Sequence, residues 1–151
     1  MTTAALAAGG LFSVVGMNSA QAASCPTYAA KWVHKNCLSG VYTVTYKTRW
    51  YSPDDYHRAS LRVGKFRGVL YAYAVYYRST GYYDLGYQKI QINGNSWGYN
   101  WGQQTVTINS KYSRYTKALR STSRSDVRFR ACSWWDRFDG KRQYKFCTSY
   151  W

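Results

Sequence analysis

This chain of 151 residues has no glutamate, only two histidines and only two prolines. Its six acidic residues are all aspartates, set against 21 Lys and Arg, for a formal charge of +15. Each shortage narrows the reading. A glycosidase needs two carboxylates flanking one bond, and here only aspartate can supply them. No G-x-S-x-G, H-E-x-x-H or phosphate-cradling glycine loop occurs. The four cysteines form no C-x₂-C knuckle, so a zinc site is not expected. The densest polar cluster, Asp54-Asp55-x-His57, has the residue types for a metal or an acid–base pair. It follows Ser52-Pro53, however, and reads as a solvated turn. His34 has no carboxylate near it in sequence. Neither an enzyme nor a cofactor is expected.

What the chain does have is aromatic: 19% of it, with 17 Tyr and 7 Trp. Aromatic, Thr- and Val-containing runs broken by Gly, Asn and Ser are the composition of an all-β protein, and they argue against disorder. Residues 1–22 differ from the rest. They are uncharged, carry the run AALAAGGLFSVVGM and end at Ala20-Gln21-Ala22. That pattern predicts a secretory signal peptide cleaved before Ala23, with residues 23–151 as one secreted β domain. No Lys or Arg precedes the apolar run, so a basic segment upstream of Met1 is expected. No other segment reads as a membrane span.

Val41 to Tyr51 alternates cleanly, and its even positions (Tyr42, Val44, Tyr46, Thr48, Trp50) are the expected core face. Ser52-Pro53-Asp54-Asp55 turns the chain. Arg58 to Arg67 then points Ala59, Leu61 and Val63 inward. In Val69 to Arg78 the large Val69, Tyr71, Tyr73, Val75 and Tyr77 share one face and Ala72 and Ala74 the other, so packing on both sides is predicted. Asn93-Gly94 predicts a two-residue hairpin turn placing Ile90 against Trp97 and Gln88 against Tyr99. An apolar parity flip at Val106 and Ile108 predicts a bulge near Gly102. Asn109 to Ser125 fits helical spacing and edge-strand composition, with strand plus loop preferred.

The last segment, VRFRACSWWDRF-DG-KRQYKFCTSYW, reads as a hairpin about Asp139-Gly140. Folding it back sets Cys132 opposite Cys147, Trp135 opposite Tyr144 and Arg137 opposite Arg142. Directly opposed Cα atoms lie ~4.5–5.5 Å apart, within disulfide reach. Cys25–Cys37 and Cys132–Cys147 are therefore the favoured pairs among three possibilities, each stabilising by about 3 kcal/mol. Short strands joined by hairpin signals predict an antiparallel β-sandwich, Ig-like or jelly-roll-like, with a small barrel as the alternative. The ending DVRFRAC…FCTSYW behind an A-x-A leader resembles small secreted, disulfide-containing β-proteins of actinobacteria. That resemblance implies export and β-structure and no particular activity.

Eleven of the basic residues fall within 109–151. Among them Arg128, Arg130, Arg137, Lys141, Arg142 and Lys145 interleave with Trp134, Trp135 and Tyr144. Arg and aromatic rings together suit phosphate-bearing or sugar polymers, although a solvated face would use the same charges. Tyr99 and Trp101, with Trp134, are the candidate stacking platform beside Asn93, Asn95, Asn100 and Gln103. Trp97 is expected in the core. The reading is a cationic binder of an anionic cell-wall polymer or glycan at the cell envelope. A secreted antagonist (bacteriocin-like, or an inhibitor of a secreted enzyme) and a structural extracellular protein are the alternatives. Nucleic acid is an electrostatic match, but export makes it a poor physiological partner.

Overall fold

A computed structural model describes residues 24–79, 86–108, 113–121, 127–137 and 142–151. The leader, the Ser79-Thr80-Gly81 turn beyond Ser79, and the Asp139-Gly140 turn lie outside the described residues. The strands run in chain order as β1 (Trp32–Val33), β2 (Ser39–Trp50), β3 (Tyr56–Phe66), β4 (Val69–Arg78) and β5 (Gly86–Ser96). β6 (Tyr99–Ile108), β7 (Ser113–Tyr115), β8 (Ala118–Arg120), β9 (Val127–Arg137) and β10 (Arg142–Cys147) complete them. A 3₁₀ turn, Lys35–Cys37, lies in the lead-in.

All pairings are antiparallel. One sheet has the order β1-β8-β4-β3-β2, with β7 also on β4, and the other the order β10-β9-β5-β6. The fold is thus the two-sheet sandwich the sequence predicts, with no pairing between sheets among the described residues. Both favoured disulfides are present, with Cα separations of 5.6 Å for Cys25–Cys37 and 4.0 Å for Cys132–Cys147.

Between the sheets, Ala59, Leu61, Val63, Ala72, Ala74 and Tyr76 of one pack on Ile90, Ile92, Phe129 and Ala131 of the other. β4 is covered on both sides, as its alternation of small and large residues requires. Its alanines admit the opposite sheet, while Tyr71 and Tyr73 bury outward against Val33 and Ala118. The Tyr71 hydroxyl donates to the Ala30 carbonyl at 2.7 Å, tying the N-terminal segment to that outer face. The ambiguous region around Leu119 forms two short strands, β7 and β8, and Leu119 is fully buried.

Three expectations are corrected. β2 does not bury its even face: Tyr42, Tyr46 and Trp50 are exposed. β2 is an edge strand, and pairing sets Tyr46 beside Ser60 and Thr48 beside Arg58, on the face away from Ala59 and Leu61.

The Asn93-Gly94 turn does not form. β5 runs straight through it to Ser96, and the chain reverses at Trp97-Gly98, whose φ values of +49° and +83° suit a type I′ turn. Gly94 and Gly102 are opposed in the sheet, and Leu119 lies over both. A Cβ on Gly94 would meet the Leu119 side chain at 2.9 Å, and one on Gly102 would meet it at 2.8 Å. The glycine is needed for close approach, and the turn forms further along. The bulge expected near Gly102 is present, with Trp101 as the extra residue between Gly94↔Gly102 and Asn95↔Asn100.

In the last hairpin Cys132↔Cys147 holds, but a shift between Gln143 and Phe146 sets Trp135 against Gln143 and Arg142 against Asp136. The predicted Trp135–Tyr144 and Arg137–Arg142 pairs are therefore replaced. The observed register opposes unlike rather than like charges across the ladder.

Two outcomes follow from this packing. Gly102→Ala overpacks Leu119 and should lower unfolding free energy by about 1–3 kcal/mol, read from the urea midpoint at constant slope. Burial raises the phenol pKa of Tyr71, against a lowering by nearby Arg120. A raised folded pKa favours the neutral phenol in the native state. Its contribution is whole below the unfolded value of about 10 and is lost as pH rises through the folded one. Tyr71→Phe should lose about 1 kcal/mol at neutral pH and show a shallower alkaline decline, checked by thermal melts across that range.

Candidate functional site

Alternation along β9 sends Phe129, Ala131 and Ser133 inward and Arg128, Arg130 and Trp134 to the outer face of the four-stranded sheet. Lys145 joins that face, its Nζ lying 5.2 Å from the Trp134 ring centroid. The expected cluster of Arg128, Arg130, Lys145 and Trp134 is thus brought to one face. Lys141 lies outside the described residues, and Arg137 and Arg142 are described only by their backbone pairing.

Trp134 offers no open ring. It is 2% exposed, and its indole N–H donates to Asp136 Oδ1 at 3.0 Å. Asp136 also pairs with Lys89. Trp101 is likewise engaged: its Nε1–H donates to the Arg120 carbonyl at 2.9 Å, and Lys31 sits over the ring. Of the three aromatics in the expected platform, only Tyr99 is open, at 78% exposure. Trp97, expected in the core, is 83% exposed instead.

Trp97 defines the better site. At the tip of the β5–β6 hairpin it lines a cleft of about 310 Å³ with Asn95, Gly98, Arg128 and Tyr150. The hairpin is fixed by the Asn95 side-chain oxygen, which accepts the Gly98 N–H at 2.9 Å. The far wall comes from the C-terminal tail. Phe129 and Trp151 exchange backbone hydrogen bonds at 2.7 and 2.9 Å, and the Thr148 N–H donates to the Ala131 carbonyl. That pairing lays Tyr150 under the Arg130 guanidinium, 4.5 Å from ring centroid to Cζ. Neither Arg128 nor Arg130 pairs with a carboxylate among the described residues. The arrangement combines an amide, two guanidinium groups and open rings, the chemistry that holds a sugar or phosphate group by hydrogen bonding, charge and stacking.

A tryptophan with φ +49° is unusual, since bulky side chains disfavour the left-handed region and Asn, Asp or Gly fill such turns. Arg67-Gly68 makes the same kind of reversal, with φ values of +50° and +74°. Sequence reasoning missed the exposed Trp97 because it placed the turn at Asn93-Gly94.

A second open aromatic face also escaped it. On the outer side of the six-stranded sheet, Trp50, Tyr56 and Tyr77 form a row, with ring centroids 4.7 and 5.9 Å apart. Arg58 lies across Tyr56 and Tyr46. The turn position alone misleads: counting back through Ser52–Asp55 opposes Tyr51 with Tyr56 and sets even β2 positions beside Ala59 and Leu61, whereas the observed register, Trp50↔Tyr56, is shifted by one residue.

The Asp54-Asp55-x-His57 cluster is only partly the solvated turn expected. Asp54 is exposed in the turn, but His57 points between the sheets. Its Nδ1 lies 3.1 Å from the Tyr76 hydroxyl, its Nε2 3.9 Å from Asp55 Oδ1, and its ring packs on Tyr51 and Trp135. This closes one end of the core. His34 caps the 3₁₀ turn by accepting the Asn36 N–H. Among the described residues no three metal-ligating side chains converge, and no helix is long and apolar enough to cross a membrane.

No family model matches the chain, and no curated protein or solved structure matches it either, so the reading of the site rests on its geometry.

Proposed function

We propose that this is an exported binding protein for an anionic or sugar-containing polymer of the cell envelope. The observation that carries the proposal is the cleft in which strained, exposed Trp97 stands beside Asn95, Arg128 and Tyr150. Two disulfides among four cysteines suit an oxidising compartment. The +15 charge draws polyanions from a distance, and the rings and amide hold them at contact. Exposed aromatics beside the basic residues favour a binder over the antagonist reading, which a wholly buried aromatic set would have suited better.

Co-sedimentation of the purified chain with isolated cell walls across a salt series tests this. Retention should fall with salt, because exposed charge pairs are screened. Absence of retention at every salt concentration would overturn the reading. Trp97→Asn separates use from stability. Asn tolerates positive φ, so the variant should be as stable as the parent or more so by about 1 kcal/mol, yet bind walls severalfold more weakly. Arg128→Ala should weaken binding mainly at low salt and flatten the salt dependence.

A further inference from the structure

The cleft leaves the open half of the other outer face unused. That face is covered where Val33 and Ala118 pack against Tyr71 and Tyr73, and open where Trp50, Tyr56 and Tyr77 lie. Trp50 and Tyr46 are 60% and 59% exposed. Contiguous exposed rings of this kind mark interaction surfaces.

The row runs across the strands. Trp50 opposes Tyr56 between β2 and β3, and Tyr77 of β4 opposes Arg58. Successive rings therefore step from strand to strand, with centroids 4.7 and 5.9 Å apart and planes tilted by 51° and 37°, and present a stepped aromatic track. Arg58 is fixed within it. Its Nε–H donates to Thr48 Oγ1 at 3.3 Å, and its guanidinium lies 4.8 Å from the Tyr46 centroid and 5.3 Å from that of Tyr56. No carboxylate pairs with it among the described residues. Of the basic residues on these strands, Arg58 and Arg62 fall on this face by register. Lys47, Arg49 and Arg78 pair with Ala59 or His57 and fall on the other, and Asp54 and Asp55 lie in the adjoining turn.

We propose that this face is a second ligand site that takes an acidic polysaccharide, whose sugar rings stack along Trp50, Tyr56 and Tyr77 while Arg58 pairs with its acid groups. The proposal rests on the polymer-binding reading for its class of ligand and adds a separate point of attachment. A pyranose offers flat C–H faces to aromatic rings, and a fixed guanidinium is suited to carboxylate or phosphate oxygens. Nucleic acid bases would also stack here. The disulfides favour the sugar polymer, because they suit an oxidising compartment rather than the reducing one that holds nucleic acid. With a ligand site on each of two faces, one molecule bridges two polymer strands.

The test uses the full chain with Trp97→Asn and Arg128→Ala introduced to disable the cleft. Polygalacturonate, neutral dextran, polyphosphate and an oligothymidylate are the probes, with affinity electrophoresis as the readout. Polygalacturonate should still retard this chain, and more strongly than the other three probes. Adding Trp50→Ala with Tyr56→Ala should reduce its affinity by about tenfold or more, on the scale of losing stacked rings. Trp50→Tyr alone should retain most of the binding, and unchanged urea midpoints exclude unfolding as the cause. Arg58→Gln should abolish the preference for polygalacturonate over dextran.

Equal affinity with and without Trp50 and Tyr56 overturns the proposal. So does oligothymidylate or polyphosphate binding as tightly as polygalacturonate. If the cleft-disabled chain binds no probe while the parent binds walls, this inference fails alone. If the cleft variants bind walls as the parent does and the Trp50 variant does not, the cleft reading fails and this one stands. If the parent binds neither walls nor probes, both fail.

Discussion

Leu119 against the Gly94–Gly102 pair is the contact on which the rest of this molecule depends. β8 belongs to one sheet and the two glycines to the other, so the leucine side chain reaches across the core into a gap that no Cβ could share. Interiors pack at crystal-like density, so such a fit admits one arrangement of the hairpin. It keeps Gly94 within β5, carries the strand on to Ser96 and leaves Trp97-Gly98 to make the reversal. Trp97 stands in solvent because a leucine far from it in sequence needs room.

Architecture was largely legible before the fold was described. Alternation in β3 and β4 is strict, so Ala59, Leu61 and Val63 could be placed inward from sequence alone. The Cys132–Cys147 pair followed from turn position and spacing. Failures came where two local signals competed and only a tertiary contact decided between them. Asn93-Gly94 is the stronger turn dipeptide by local chemistry, yet Leu119 requires that glycine elsewhere. The even face of β2 is the more aromatic one, but pairing with β3 turns Tyr46 and Trp50 to the outer side of the sheet, away from Ala59 and Leu61. The basic-aromatic character of β9 was readable. That Trp134 is sealed under Lys145 and bonded to Asp136 was not, since no sequence rule reports which ring a neighbouring strand will cover.

The two open aromatic surfaces differ in how they are built. The cleft is made of a strained turn, one strand and the C-terminal tail, parts that meet only when both the hairpin and the tail are docked. The ring row is carried on three hydrogen-bonded strands. A row of rings stepped from strand to strand suits a repeating polymer, and a cleft of mixed parentage suits a more local group. Tyrosine and tryptophan serve both roles because they lose little rotamer freedom on contact and combine an apolar body with a polar tip.

The tail has a further effect unrelated to ligands. β10 flanks β9 only from Cys132 onward, so the first half of β9 would otherwise present a row of unsatisfied backbone N–H and C=O groups. Exposed edges of that kind template association between chains, and sheets are protected when something short covers them. The reciprocal bonds between Phe129 and Trp151, with Thr148 on Ala131, fill that gap. The last four residues thus cover an edge that would otherwise be open to strand addition from another chain.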